Sequence, residues 1–79
     1  MQEKLKLAHG ETVAFVSSRS RGFAGEEDVS DYNVLDADGK VVGTVVFTEH
    51  TAVRGFRVTN TVIQKDVQGN VLVSETWNP

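Results

Sequence analysis

The chain contains no cysteine, and its single proline is the last residue, Pro79. The first absence excludes disulfide staples, thiolate zinc sites and a cysteine nucleophile. The second leaves every candidate strand uninterrupted. Histidine is scarce: His9 and His50 are the two imidazoles, and they do not stand at the close spacing of a metal-binding pair. No apolar run approaches membrane-spanning length. The N-terminal MQEKLKLAHGE lacks the apolar stretch of a secretory leader. Nothing reads as a long amphipathic helix. These absences predict a cytoplasmic protein with no membrane association, no metal and no cofactor.

What is present leans towards β structure. Apolar residues make up 39% of the 79 residues, and valine recurs from Val13 to Val73. Valine and the aromatics Phe15, Phe23, Phe47, Phe56, Tyr32 and Trp77 suit a pleated sheet better than a helix. The length predicts one domain, residues 1–79. A chain of this size buries only about 60% of its unfolded surface, and without staples it depends on packing alone or on a partner. Eight Lys and Arg against eleven Asp and Glu give a net charge of −3. That mild acidity opposes non-specific attraction to nucleic acid or anionic membranes. The acids are concentrated in residues 26–38, which include Glu26, Glu27, Asp28, Asp31, Asp36 and Asp38 and no base.

The clearest element is DYNVLDADGKVVGTVVFTE. Asp38-Gly39 between two β-rich runs predicts a two-residue type I′ hairpin turn. In that register Leu35 opposes Val42, Val34 opposes Gly43, Tyr32 opposes Val45 and Ser30 opposes Phe47. Tyr32, Val34, Val41, Val45 and Phe47 then share a core face, with Asn33, Leu35, Val42, Thr44 and Val46 on the other. A second hairpin follows in FRVTNTVIQKDVQGNVLVSETW, where Phe56, Val58 and Val62 alternate with Arg57, Thr59 and Thr61. A Gly69-Asn70 turn pairs Val62 with Trp77, apolar with apolar, and is preferred to a Gln68-Gly69 turn that sets Val62 against Glu75. TVAFVSS makes another strand. KLKLA, before His9-Gly10-Glu11, is either a short strand or a short helix over residues 2–8. Residues 17–30 read as the longest irregular segment. The expected fold is an all-β antiparallel meander of five or six strands, forming a small barrel or a half-open curled sheet, with or without a short N-terminal helix.

Catalytic patterns are not evident. Ser17, Ser18 and Ser20 have no nucleophile elbow around them. Glu26-Glu27-Asp28 is a polar run, and general acid work needs a carboxyl in an apolar pocket. Asp36-Ala37-Asp38-Gly39 resembles part of a calcium loop but lacks the remaining ligands. No phosphate-cradling loop is visible. No enzyme is expected.

One oddity remains: Arg-Gly-Phe occurs twice, at Arg21-Gly22-Phe23 and Arg54-Gly55-Phe56. A chain this long offers about 3,000 tripeptide pairs, each matching at roughly one in four thousand, so chance suffices. Phe56 is expected to open a strand and face the core. Phe23 sits where no periodicity assigns it to core or surface. Around it, Arg19, Arg21, Phe23, Glu26 and Glu27 run from basic through aromatic to acidic, with Arg54 and Arg57 near the second copy. Arg and aromatics are enriched at interface hot spots, and a charged loop orients a charged partner. The expected function is binding of another protein, as an adaptor, inhibitor or immunity-type factor. One alternative is a small barrel binding single-stranded nucleic acid, against which the net charge and the acids after Phe23 weigh. Another is a small-molecule binder using the barrel interior. An exposed strand edge also suits homodimer pairing.

Overall fold

A computed structural model describes residues 1–23, 26–52, 54–55 and 57–79. Its five strands are β1 (Thr12–Arg21), β2 (Glu27–Leu35), β3 (Val41–Thr51), β4 (Val58–Asp66) and β5 (Val71–Trp77). They form one antiparallel sheet in the order β1-β2-β3-β4-β5, the meander expected. The sheet stays open and is not a barrel; β1 and β5 are its two edges. The molecule extends 44 × 20 × 19 Å with a radius of gyration of 13.7 Å. A compact chain of this length measures about 12 Å, so the molecule is elongated. Among the described residues no helix is long and apolar enough to cross a membrane.

Opposed residues of an antiparallel pair share a face, so the register sorts the side chains. One row of the inner face is Phe15, Tyr32, Val45, Gln64 and Val73; the next is Ser18, Ser30, Phe47, Val62 and Glu75. Val34, Val45, Val62 and Val73 are buried there as the core cluster. One sheet face cannot bury itself. The N-terminal segment covers it, with Met1, Leu5 and Leu7 packed on the cluster. Val29 is also buried, but on the outer face, between Arg19 and Thr48 in register.

The first hairpin pairs as its sequence predicts at Val34–Gly43, Tyr32–Val45 and Ser30–Phe47. Its tip is different. Gly39 N–H donates to the Asp36 carbonyl at 3.0 Å and Asp36 N–H to the Lys40 carbonyl at 2.9 Å. The loop therefore has three residues, 37–39, with Gly39 at φ +82°, a left-handed position where glycine is favoured. The Asp36 carboxylate accepts the N–H groups of Asp38 and Lys40, each at 2.9 Å, an Asx-type turn. Leu35 then opposes Val41, and a bulge beside it restores the expected register. The bulge exchanges the roles of two valines: Val42 packs on the core and Val41 is exposed.

The second hairpin repeats this construction and overturns the preferred Gly69-Asn70 turn. Asp66 N–H donates to the Asn70 carbonyl and Gly69 N–H to the Asp66 carbonyl. The Asp66 carboxylate accepts from the Gln68 and Asn70 N–H groups. Val62 opposes Glu75, and Trp77 opposes Asn60. Turn chemistry at Asp66 and Gly69 sets this register, against the better apolar match of the alternative. Gly43 is required for packing: a Cβ there would lie 2.6 Å from the Lys65 carbonyl oxygen.

Two further expectations are corrected. Residues 17–21 and 27–30 are not irregular but belong to β1 and β2. Polar cross-strand pairs replace apolar periodicity there: Ser20 Oγ donates to Asp28 at 2.8 Å, and Arg21 faces Glu27. Residues 2–8 are neither strand nor a longer helix. A single 3-10 turn at Gln2–Lys4 leads into extended backbone at Leu5, whose neighbour Lys6 is held by a side chain.

Candidate functional site: two hairpin tips at one end

In a meander, alternate turns fall at the same end. The β1–β2 and β3–β4 turns therefore sit together, opposite the tips at Gly39 and Gly69. The first turn follows Arg21 and carries Gly22 and Phe23; the second carries Arg54 and Gly55. Thr51 N–H donates to the Glu26 carbonyl at 2.8 Å, tying one turn to the flank of the other. Two strand spacings separate the hairpin axes, about 10 Å. Gly22 at φ +94° and Gly55 at φ +85° both adopt the left-handed conformation that glycine tolerates.

The candidate residues divide into three groups. Arg19, Arg21 and Glu27 are ladder residues of the outer face. Arg19 pairs diagonally with Asp31, which also accepts from Ser17 Oγ at 3.3 Å. Arg21 Nε donates to Glu27 Oε1 at 2.8 Å, and His50 Nδ1 stands 3.5 Å from the other Glu27 oxygen. Phe23 and Glu26 form the first tip. Phe23 is wholly exposed; Glu26 folds back, so that a Cβ on Gly22 would meet its carboxylate at 2.4 Å. Arg54 and Arg57 are exposed at the second tip. Arg54 lies in the turn rather than in a strand, and β4 begins only at Val58. The expectation that Phe56 faces the core lies outside the described residues. An open cleft of about 670 Å³ beside this tip is lined by Gly55, Arg57, Val58, Asn78 and Pro79. Asn78 Nδ2 donates to the Val58 carbonyl at 2.7 Å and holds the chain end against β4.

The sheet also builds a second constellation that the sequence reading missed. Gln64, 2% exposed, accepts the Lys6 N–H on Oε1 and donates Nε2–H to the Lys6 carbonyl, both at 2.8 Å. Lys4 Nζ lies 4.8 Å from the Trp77 ring centroid and 3.9 Å from a Glu75 oxygen. Phe47 and Trp77 are in contact at 6.1 Å between centroids. A glutamine inside the strand pattern VIQKDV was the available signal, since a buried amide must find partners. The neighbouring Asn60 is also buried, and its Oδ1 has no partner among the described residues. Among the described residues no group of three metal-ligating side chains occurs.

Neither a scan of family models nor comparison with curated proteins and with solved structures returns a match for this chain.

Proposed function

We propose that the chain is a non-catalytic binding protein that docks another protein through the two-tip end of the sheet. One observation carries this reading: Phe23, a large aromatic, is fully exposed at a hairpin tip, with Arg54 and Arg57 exposed on the turn beside it. Exposing an aromatic ring forgoes the roughly 1.5–3 kcal/mol that burial of such a side chain supplies. Arg and aromatics at the centre of a small patch are also the usual anchors of an interface. The single-strand nucleic-acid reading loses support, because Arg19 and Arg21 are engaged by Asp31 and Glu27. The open sheet leaves no barrel interior for an enclosed small molecule. Edge pairing into a homodimer is disfavoured at β1, where a bulge near Val16 and two arginines act against strand addition.

Phe23→Ala and Arg54→Ala test the proposal. Both sites are exposed, so neither change moves stability by more than about 0.5 kcal/mol. Proteins captured from the native cell by the wild-type chain are expected to be lost with both variants. Identical capture by wild type and variants, or no capture by the wild type, removes the reading.

A further inference from the structure

The N-terminal segment is bound the way a peptide ligand is bound. It leaves β1 through a turn in which Glu11 N–H donates to the Ala8 carbonyl. Gly10 passes Ala37 at the β2–β3 tip. Lys6 reaches Gln64 on β4, and Lys4 reaches Glu75 and Trp77 on β5. The segment thus crosses the inner face diagonally from one edge of the sheet to the other. Among the described residues no strand pairs with it. Its backbone is gripped by one buried side chain, Gln64, which supplies both the acceptor and the donor that a neighbouring strand would supply. Such a clamp reads backbone, not side-chain identity.

Identity is read on either side of the clamp. Leu5 and Leu7 pack on the valine cluster, while the Lys6 side chain points away and is exposed. Lys4 enters a cation site built from the Trp77 ring and the Glu75 carboxylate, where a ring face and an opposite charge reinforce each other. The pattern recognised is therefore cation, apolar, any, apolar, with the cation closing a 3-10 turn and the chain extended from Leu5. Asp28 and Glu49 lie opposite each other on the same face, in the row that ends at Trp77. They give the face further negative charge for a basic occupant.

We propose that this inner face is a peptide-binding groove for a basic-apolar segment of a partner protein, and that residues 4–7 occupy it in cis as a built-in competitor. The groove is separate from the hairpin tips and does not depend on them. A tethered segment acts at an effective concentration on the order of millimolar. A free peptide must displace it, and its apparent affinity is reduced by the fraction of time the groove is closed.

The test uses the full chain with its segment weakened by Leu5→Ser and Leu7→Ser together. The probe is the synthetic peptide acetyl-EKLKLA-amide, read by the fluorescence of Trp77, the one tryptophan. The double variant is expected to bind it saturably and at least about tenfold more tightly than the wild type. A peptide with both leucines replaced by serine is expected not to bind. Adding Glu75→Gln to the double variant should weaken binding of the probe. A folded double variant that ignores the peptide up to millimolar concentration overturns the proposal. So does equal affinity in wild type and variant, which places the peptide elsewhere. A concentration-dependent dimer that exchanges its segments assigns the groove to a second copy and overturns the partner reading. If the double variant does not fold, Lys4→Ala replaces it, leaves both leucines in place, and must show the same direction of change. Loss of partner capture on Phe23→Ala, or its persistence, does not bear on this groove, so the two proposals fail separately.

Discussion

Gln64→Ala tests how the N-terminal segment is held over the core. The substitution removes two hydrogen bonds of 2.8 Å, each worth about 1 kcal/mol net. It also removes one buried methylene, about 0.8 kcal/mol. The sum is about 3 kcal/mol. For a domain of this size each kcal/mol shifts the melting temperature by roughly 4–8 °C, so a fall of about 12–24 °C is expected by circular dichroism. If the N-terminal segment detaches without unfolding the sheet, the loss has a ceiling. Amide hydrogen exchange separates the two components. The Lys6 amide is expected to lose its protection entirely, while the amides of Val45 and Val62 lose only what the global stability loses. Gln64→Glu sharpens the argument. A neutral carboxyl can still accept from Lys6 N–H and donate to Lys6 C=O, whereas a carboxylate cannot donate. Its buried carboxyl would have a pKa raised above the unfolded value, so docking is retained at low pH and lost as pH rises through the folded value. A Gln64→Ala protein that melts within about 2 °C of the wild type, with Lys6 still protected, would refute the clamp.

Two further substitutions probe the turns and the sheet. Gly43→Ala places a methyl 2.6 Å from the Lys65 carbonyl oxygen; β3 and β4 must separate to admit it, at a cost of about 1–3 kcal/mol in urea unfolding. An alanine tolerated there within 0.3 kcal/mol or so would refute the close approach. Asp66 is held below the ordinary carboxylate value of 3.8, first by the Asn70 side chain and then by backbone N–H groups. Its contribution is therefore complete above that value and is lost as pH falls through the lower folded value. The stability difference between wild type and Asp66→Ala should be constant from neutral pH down to the ordinary value and shrink below it. A difference that stays constant into strong acid would contradict the assignment.

The β class, the strand-turn grammar and most of one register were legible because they are local. Val34 faces Gly43 and Tyr32 faces Val45 for reasons contained in a few neighbouring residues. Asp36 and Asp66, each three residues before a glycine, carry the turn chemistry in their own side chains. The second register departs from the apolar match of Val62 with Trp77 because that turn chemistry outweighs it. The polar ends of β1 and β2 were missed for a different reason. Their strand pairing rests on Ser20 with Asp28 and Arg21 with Glu27, partners visible only across the sheet and not along the chain.

The candidate site was legible as residue types and illegible as groups. Nothing in the sequence separates Arg19 and Arg21, which are engaged by acids across the ladder, from Arg54 at an exposed tip. Chance adequately explains the duplication of Arg-Gly-Phe, yet the meander brings Gly22 and Phe23 to the same end as Arg54 and Gly55, since every second turn of such a sheet falls on the same side. Composition and turn residues alone determined an all-β hairpin protein without cysteine chemistry. The tertiary structure decided that the sheet remains open, that Phe23 stands in solvent, and that the segment Lys4-Leu5-Lys6-Leu7 lies across the core. The physical reason is the same in each case. Local conformation follows from neighbours in sequence, whereas burial and pairing depend on which distant side chain, such as Gln64 for Lys6, the fold brings within reach.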